Sequence, residues 1–235
     1  MSARILLLET ASRRCDVALM EGDQLVYEVG SVDPNGFQHA EVLHVYLQRL
    51  IQETGYAVSS FDAIALSAGP GSYTGLRIGA ASAKGLVAPY DLPLIAYSSL
   101  QALSHAGMEA RGEFASEATF WAAMDARRME VYSALFDGNG QRLSDDAPQL
   151  LEEEPIPAGL PNQHTVYGVG DGVAKAIPGF PGLQDLGIPY ASARHGAKLA
   201  LAAFNAGEAV DAAAFSPNYL KAFRAGVPRL GLPKL

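Results

Sequence analysis

Apolar and polar positions change their period several times along the chain, and each change marks an element. Residues 4–9 are a near-continuous apolar run closed by Glu9, the pattern of a strand covered on both faces. Residues 15–20 alternate, Gly22-Asp23 offers a turn, and residues 25–29 form the next strand, so the three predict an antiparallel meander. Asp33-Pro34-Asn35-Gly36 has the chemistry of a loop. Over residues 38–54 the period becomes helical. Ala40, Leu43, Leu47 and Leu50 make one stripe, Val42, Tyr46 and Ile51 broaden it, and Gly55 is placed to stop the helix. A helix apolar around more than one side has a second surface to bury. Residues 61–66 predict a fourth strand, 74–88 a second helix and 94–97 a fifth strand. Ser98 or Ser99 is a cap for a helix through Leu103.

The second half starts again after a small-residue connector at 107–116. Residues 119–125 and 129–136 predict a hairpin pair, with Asp137-Gly138-Asn139-Gly140 as the turn that follows and a third strand within 143–151. Glu152-Glu153-Glu154 with Pro155, Pro157 and Pro161 is a solvated loop. Residues 165–169 predict a strand, 171–176 a short helix, and 192–204 an alanine-rich helix ending near Gly207. Both halves therefore predict a β meander followed by β-α units, although no sequence identity links them. That order is the ribonuclease-H-like pattern: an α/β chain of two halves with mixed sheets. The expected division is 1–106 for the first domain, 107–214 for a smaller second one, and 215–235 for a C-terminal segment packing back on the first.

The most informative stretch is Ser67-Ala68-Gly69-Pro70-Gly71-Ser72-Tyr73-Thr74-Gly75-Leu76-Arg77-Ile78-Gly79, which joins the fourth strand to the second helix. A glycine-rich turn at a helix start attracts anions. This one lacks the Gly-Lys-Ser/Thr ending that brings a lysine to a phosphate. Its other property is steric: Gly71, Gly75, Gly79 and Ala83 recur every fourth residue, so one helix face is almost bare and lets another backbone approach. With the 38–54 helix beside it, the expected partner interface is Leu43, Leu47, Leu50, Gly75, Gly79 and Ala83, a patch that can also pair with its own copy about a two-fold axis.

Composition narrows the classes. The chain has 235 residues, 49% hydrophobic and 18% charged, enough to bury one large core or two modest ones. No apolar run approaches a membrane span, and the start reads as a strand rather than a secretory leader. The single cysteine, Cys15, alternates with Val17 and Leu19 and predicts a buried strand residue; a reducing, cytoplasmic setting fits. A net charge of -8 argues against this chain alone holding a long nucleic acid. The local exception is the end of the chain, where Lys221, Arg224, Arg229 and Lys234 meet no acids.

Together these residues resemble the bacterial TsaB family, also called YeaZ. The matching pieces are Ile5-Leu6-Leu7-Leu8-Glu9-Thr10-Ala11, Gln38-His39-Ala40-Glu41, the glycine-rich segment 69–79, Ala123-Met124-Asp125-Ala126-Arg127 with Glu130-Val131-Tyr132, and Pro217-Asn218-Tyr219-Leu220-Lys221. The resemblance implies two ribonuclease-H-like halves of the actin, Hsp70 and sugar kinase type. It also implies a non-catalytic scaffold and activator that binds TsaD, with the ATPase TsaE as a further partner, for threonylcarbamoyl transfer to adenosine 37 of tRNAs reading ANN codons. TsaD and not this chain would carry the metal. A homodimer would form when TsaD is absent, tRNA would be met only through the complex, and an ATP or ADP would sit at the joint with TsaD. Two departures stand out. Glu9 replaces the family's usual Asp, which pushes a carboxylate outward by one methylene, and Lys221 replaces a common Arg, losing the planar fork.

Single candidates have competing readings. His39 and His44 are five apart, whereas the metal-binding histidines of TsaD-like enzymes are four apart; helix-surface histidines are the expectation, with His39 available to the helix start or a partner. Ser72 lies outside a Gly-x-Ser-x-Gly pattern and is expected to cap a helix. Gly168-Val169-Gly170-Asp171-Gly172 can cradle a phosphate or make a tight turn with Asp171 as cap, and Arg77 can touch a phosphate or a surface acid. Asp125 and Arg127 are expected to pair with each other or with backbone at a strand end. The rival functions are a stand-alone ATP-dependent kinase or ATPase using Glu9, Asp16 and Asp171, and a metal-dependent, glycoprotease-like peptidase.

Overall fold

The computed structural model describes residues 2–33, 38–160 and 165–221. The 34–36 part of the expected loop, Pro161, and Arg224, Arg229 and Lys234 of the C-terminal segment lie outside the described residues. Strands β1 (Arg4–Glu9), β2 (Arg14–Glu21) and β3 (Gln24–Val32) form the meander. Then come α1 (His39–Thr54), β4 (Ala63–Ser67), α2 (Tyr73–Val87), β5 (Leu94–Tyr97) and α3 (Ser99–Arg111). The second half has β6 (Ala118–Asp125), β7 (Glu130–Asp137), β8 (Ala147–Leu150), β9 (Thr165–Val169), α4 (Val173–Ala176), β10 (Gln184–Asp185) and α5 (Ala197–Ala206).

The two five-stranded sheets repeat one topology. The first runs β3-β2-β1-β4-β5 and the second β8-β7-β6-β9-β10. In each, the meander pairs antiparallel, and the next two strands add parallel to the other side of the first. The α/β fold with two mixed-sheet, ribonuclease-H-like halves is thus present, including the echo between halves. The expectation lacked β10, a two-residue edge strand too short to leave a period.

Period-two burial sorts the strand residues into layers. Leu6, Leu8, Val17 and Leu19 face outward and meet Leu43, Leu47, Leu50 and Ala83 of α1 and α2. Ile5, Leu7, Ala18 and Met20 face the other way, into a central core shared with Leu100, Leu103, Phe120 and Ala122. Trp121, Val131 and Val173 form a third core on the far face of the second sheet. Helix α3 follows β5 in sequence yet packs on β6, β7 and β9, while α5 packs on β1 and β5. The connector expected from residue 107 is instead the last turn of α3. Gly107 is bare because Phe120 and Val169 press against it: a Cβ there would lie 2.8 Å from each.

Close packing also marks where α2 leaves its glycine turn. Ser72 caps the helix by accepting from the Gly75 N–H at 3.2 Å, and its own N–H donates to the Ala11 carbonyl at 2.7 Å. That fixes the helix start against the β1 exit. A Cβ on Gly75 would sit 2.1 Å from the Thr10 carbonyl oxygen, and one on Gly79 2.3 Å from Thr10 Oγ1. The bare face is filled by this chain's own residues. Its obstruction at Gly75 is backbone, which cannot swing aside. Gly75→Ala is therefore expected to lower stability by about 1–3 kcal/mol, the usual range for overpacking. Urea unfolding measures it, and an unchanged midpoint would contradict the packing described.

Candidate functional site

The expected partner interface needs correcting. Leu43, Leu47, Leu50, Gly75, Gly79 and Ala83 are all buried within the chain, between the first sheet and its helices or against the β1 exit. Periodicity shows that a helix face is bare, not what lies against it. What the two helices leave exposed is the adjoining face. Val45 of α1 is 56% exposed, and Ala81 and Gly85 of α2 face outward; among the described residues outside its own helical turn, nothing lies within 4 Å of the place a Gly85 Cβ would occupy. The helices are joined by Ser82 Oγ and His44 Nε2 at 3.3 Å. His44 is a helix-surface residue as expected, but His39 is not. It is buried, its Nε2 is 2.8 Å from the Ser12 carbonyl oxygen, and burial lowers its pKa. The helix start thus clamps the loop after β1.

A second group lies between the sheets. Glu9 and Asp16 are direct partners in the β1–β2 register and share the central face. Glu9 is 2% exposed; its Oε1 accepts from the Ala11 N–H at 2.7 Å, and its Oε2 has no hydrogen-bond partner among the described residues. Burial, reinforced by the Asp16 charge, pushes its pKa up to about 8. Asp16 is also raised by burial, to about 7, although the Arg14 guanidinium opposes this and its Oδ1 accepts the Ala193 N–H at 2.9 Å. That last bond ties β2 to the segment leading into α5. In the same region the Tyr97 hydroxyl is buried with no hydrogen-bond partner among the described residues, its pKa raised by burial and by both carboxylates. A cavity of about 10 Å³ touches Glu9, Ser12, Ser99, Met124 and Tyr190, space for about one water. Sequence reasoning marked Glu9 and Asp16 but missed Tyr97, whose strand position carries no signal of its neighbours.

The glycine turn after β9 takes the tight-turn form. The Gly170 N–H donates to the Ile188 carbonyl at 2.8 Å and the Gly172 N–H to the Ala123 carbonyl at 3.0 Å. The space beside Gly168 is filled by Val173, and that beside Gly170 by the Ala123 carbonyl. These N–H groups are spent inside the fold, and the turn does not fit a phosphate. Asp171 does not cap the helix, which starts at Val173 without a side-chain cap; its Oδ1 accepts the Asp125 N–H at 2.8 Å. Arg77 is exposed, with its guanidinium 5.5 Å from the Tyr73 ring centre. Asp125 accepts the Arg127 N–H, the local pairing expected. Lys221 donates to Glu130 and, at 3.2 Å, to the Ala126 carbonyl. Cys15 is buried, as expected. Among the described residues no three His, Cys, Asp or Glu side chains gather as metal ligands, and no helix is long and apolar enough to cross a membrane.

Comparison with known proteins places this geometry. Residues 31–153, just over half of the chain, match the family model described as TsaD: tRNA N6-adenosine threonylcarbamoyltransferase. The chain is 32% identical over 155 residues to the tRNA threonylcarbamoyladenosine biosynthesis protein TsaB of Escherichia coli (strain K12), covering 65% of this chain and 64% of that protein. It is 32% identical over 128 residues to the TsaB of Haemophilus influenzae, covering 54% and 51%. The matched segment thus spans between half and just under two thirds of these relatives. A crystal structure from Pseudomonas aeruginosa, described as an uncharacterized protein with similarity to peptidase YEAZ, superimposes with a TM-score of 0.79 at 30% identity, over 93% of this chain and all of that one.

The buried carboxylates set a pH dependence. Between the ordinary carboxyl value of 4.5 and about 8, folded Glu9 holds a proton that the unfolded chain has released. Stability therefore falls as pH rises through that window, and Asp16 acts in the same sense from 3.8 to about 7. Glu9→Gln keeps the acceptor for Ala11 and removes the Glu9 share. Urea midpoints are expected to fall less steeply with pH in Glu9→Gln and to exceed wild type above pH 8. An equally steep fall in the variant, or wild-type stability rising through the window, would contradict the assignment.

Proposed function

We propose that this chain, which belongs to the TsaB (YeaZ) family, is a non-catalytic scaffold in threonylcarbamoyladenosine biosynthesis and acts by docking a TsaD-type transferase on the exposed face of α1 and α2. Threonylcarbamoyl transfer to adenosine 37 of tRNAs reading ANN codons is then the work of the partner. An adenine nucleotide belongs at the joint and TsaE is a further member, with the whole acting in the cytoplasm. Without TsaD, the same face pairs with a second copy of this chain. Binding that favours the partner's active arrangement shifts its population toward that state.

The observation that carries this reading is Gly85. A helical glycine on an exposed surface costs about 1 kcal/mol relative to alanine. Gly75 and Gly79 are accounted for by Thr10 of the same chain, but among the described residues outside its own helical turn nothing lies within 4 Å of a Gly85 Cβ. With Ala81 one turn earlier on α2 also exposed, it leaves a low-relief helix face suited to a partner helix at short distance, and Val45 is exposed on α1. The family supplies the identity of that partner. Gly85→Leu is expected to raise the stability of the isolated chain by about 0.5–1 kcal/mol and to weaken association with TsaD of the same organism by about tenfold or more, equivalent to about 1.4 kcal/mol. Thermal unfolding and calorimetric titration read the two effects. Undiminished association in a folded Gly85→Leu would overturn the docking face.

A further inference from the structure

The Met124-Asp125-Ala126-Arg127 segment is not used by the docking face, and it lies within a cluster of cations. The turn between β6 and β7 carries Arg127 and Arg128, both exposed. Lys221 reaches the same turn through the Ala126 carbonyl and packs its ammonium 5.5 Å from the Tyr132 ring centre. Lys175 of α4 bonds Asp125 and the Arg128 carbonyl. Two residues before Lys221, Tyr219 packs against Tyr73 with ring centres 4.9 Å apart and planes tilted by 43°, and the Arg77 guanidinium lies 5.5 Å from the Tyr73 ring centre. Exposed Arg13 acts electrostatically on Asp171 and Tyr190 on the near side of the cleft. A continuous rim therefore joins Arg13, Arg77, Arg127, Arg128, Lys175 and Lys221, interleaved with tyrosines. The acids within it are Asp125, Glu130 and Asp171, and the exposed run Glu152-Glu153-Glu154 starts one residue past Leu151, whose N–H donates to the Met129 carbonyl at 2.9 Å. Asp125 and Glu130 are taken up by Lys175 and Lys221, which leaves Arg127 and Arg128 as the cations of the turn outside the ion pairs among the described residues.

The backbone adds an independent sign. Arg127 has φ 69° and Arg128 φ 53°, consecutive left-handed residues without a glycine or asparagine. Each is disfavoured for a side chain of this kind, and such positions gather where a side chain is needed more than a relaxed turn. Among the described residues neither side chain enters an ion pair, so both guanidinium groups are available to a ligand.

We infer that this rim is a direct RNA-binding surface of the chain, with Arg127 and Arg128 holding backbone phosphates and the Tyr73–Tyr219 pair offering a stacking platform to unpaired bases. Guanidinium groups match phosphate oxygens in charge and geometry, and aromatic rings among cations are the composition that tracks a single strand. Because Arg77 stands on α2, the rim ends beside the docking face, and an RNA held along it leads toward the partner. RNA is chosen over other polyanions because the inference rests on the proposed role in tRNA modification. The rim itself is read from the left-handed Arg127-Arg128 turn, its two guanidinium groups and the tyrosines near them. It departs from the expectation that tRNA is met only through the complex.

The test uses the isolated chain without TsaD, so its outcome is separate from that of the docking experiment. A fluorescein-labelled anticodon stem-loop RNA is titrated at several salt concentrations and followed by anisotropy. Arg127→Asn with Arg128→Gly relaxes the turn while removing both charges. The double variant is expected to melt no lower than wild type, to bind about tenfold or more weakly at low salt, and to lose about 1.4 from the slope of log K against log salt, at about 0.7 per phosphate contact. Lys198→Gln, an exposed lysine of α5 outside the rim, is expected to bind as wild type does. Equal RNA affinity in the double variant, absence of RNA binding by wild type, displacement by Mg-ATP at equimolar level, or preference for a polyglutamate peptide would each overturn the inference.

Discussion

The architecture of the first half turns on one contact, the seating of the α2 glycine face on the residues that leave β1. The Thr10 carbonyl and hydroxyl occupy the room that side chains at positions 75 and 79 would take, and the Ser72 N–H is bonded to Ala11. His39 closes the same loop from α1. Together they set the height of α2 above the sheet and, through Ser82 and His44, the place of α1 beside it. Ala81 and Gly85, one turn apart on α2, then face outward. The same loop orients Glu9, whose carboxylate accepts from Ala11. The outward helix face and the buried Glu9 and Asp16 pair depend on a single local arrangement.

The crossed helices give the two halves a shared interior. Because α3 packs on the second sheet and α5 on the first, the central core belongs to neither half alone. The Asp16 to Ala193 bond crosses the same junction. A carboxylate without a hydrogen bond on one oxygen, beside an unpartnered tyrosine hydroxyl, is costly to bury. The cleft floor therefore stores a pH-dependent penalty that the packing around it must outweigh.

Much of this was legible in the sequence, and the limits have physical causes. Strand periods located both meanders, and the repeated order identified the fold class. Ser72 as a cap, Cys15 as a buried strand residue, and the Asp125–Arg127 pairing followed from local chemistry. The bare helix face was legible too, but its occupant was not. A four-residue glycine repeat accommodates a neighbour from the same chain or another one equally well, and only coordinates show Thr10 there. The expectation placed the interface one face away from the exposed one. The rim was hidden for a different reason: Arg13, Arg77, Arg127, Lys175 and Lys221 are far apart in sequence, so a net charge of -8 concealed their assembly. The left-handed Arg127-Arg128 turn left no composition signal, since arginine is not a turn residue.

The central claim is that the outward face of α1 and α2, set by the chain's own glycine contact, is where the enzyme partner sits. Hydrogen–deuterium exchange of this chain, alone and mixed with TsaD of the same organism, tests it most directly. The account predicts slowed exchange in peptides covering α1 and α2 on mixing, with α4, β8 and β10 unchanged. Protection confined to the second sheet or to α4, with α1 and α2 exchanging as in the free chain, would contradict it.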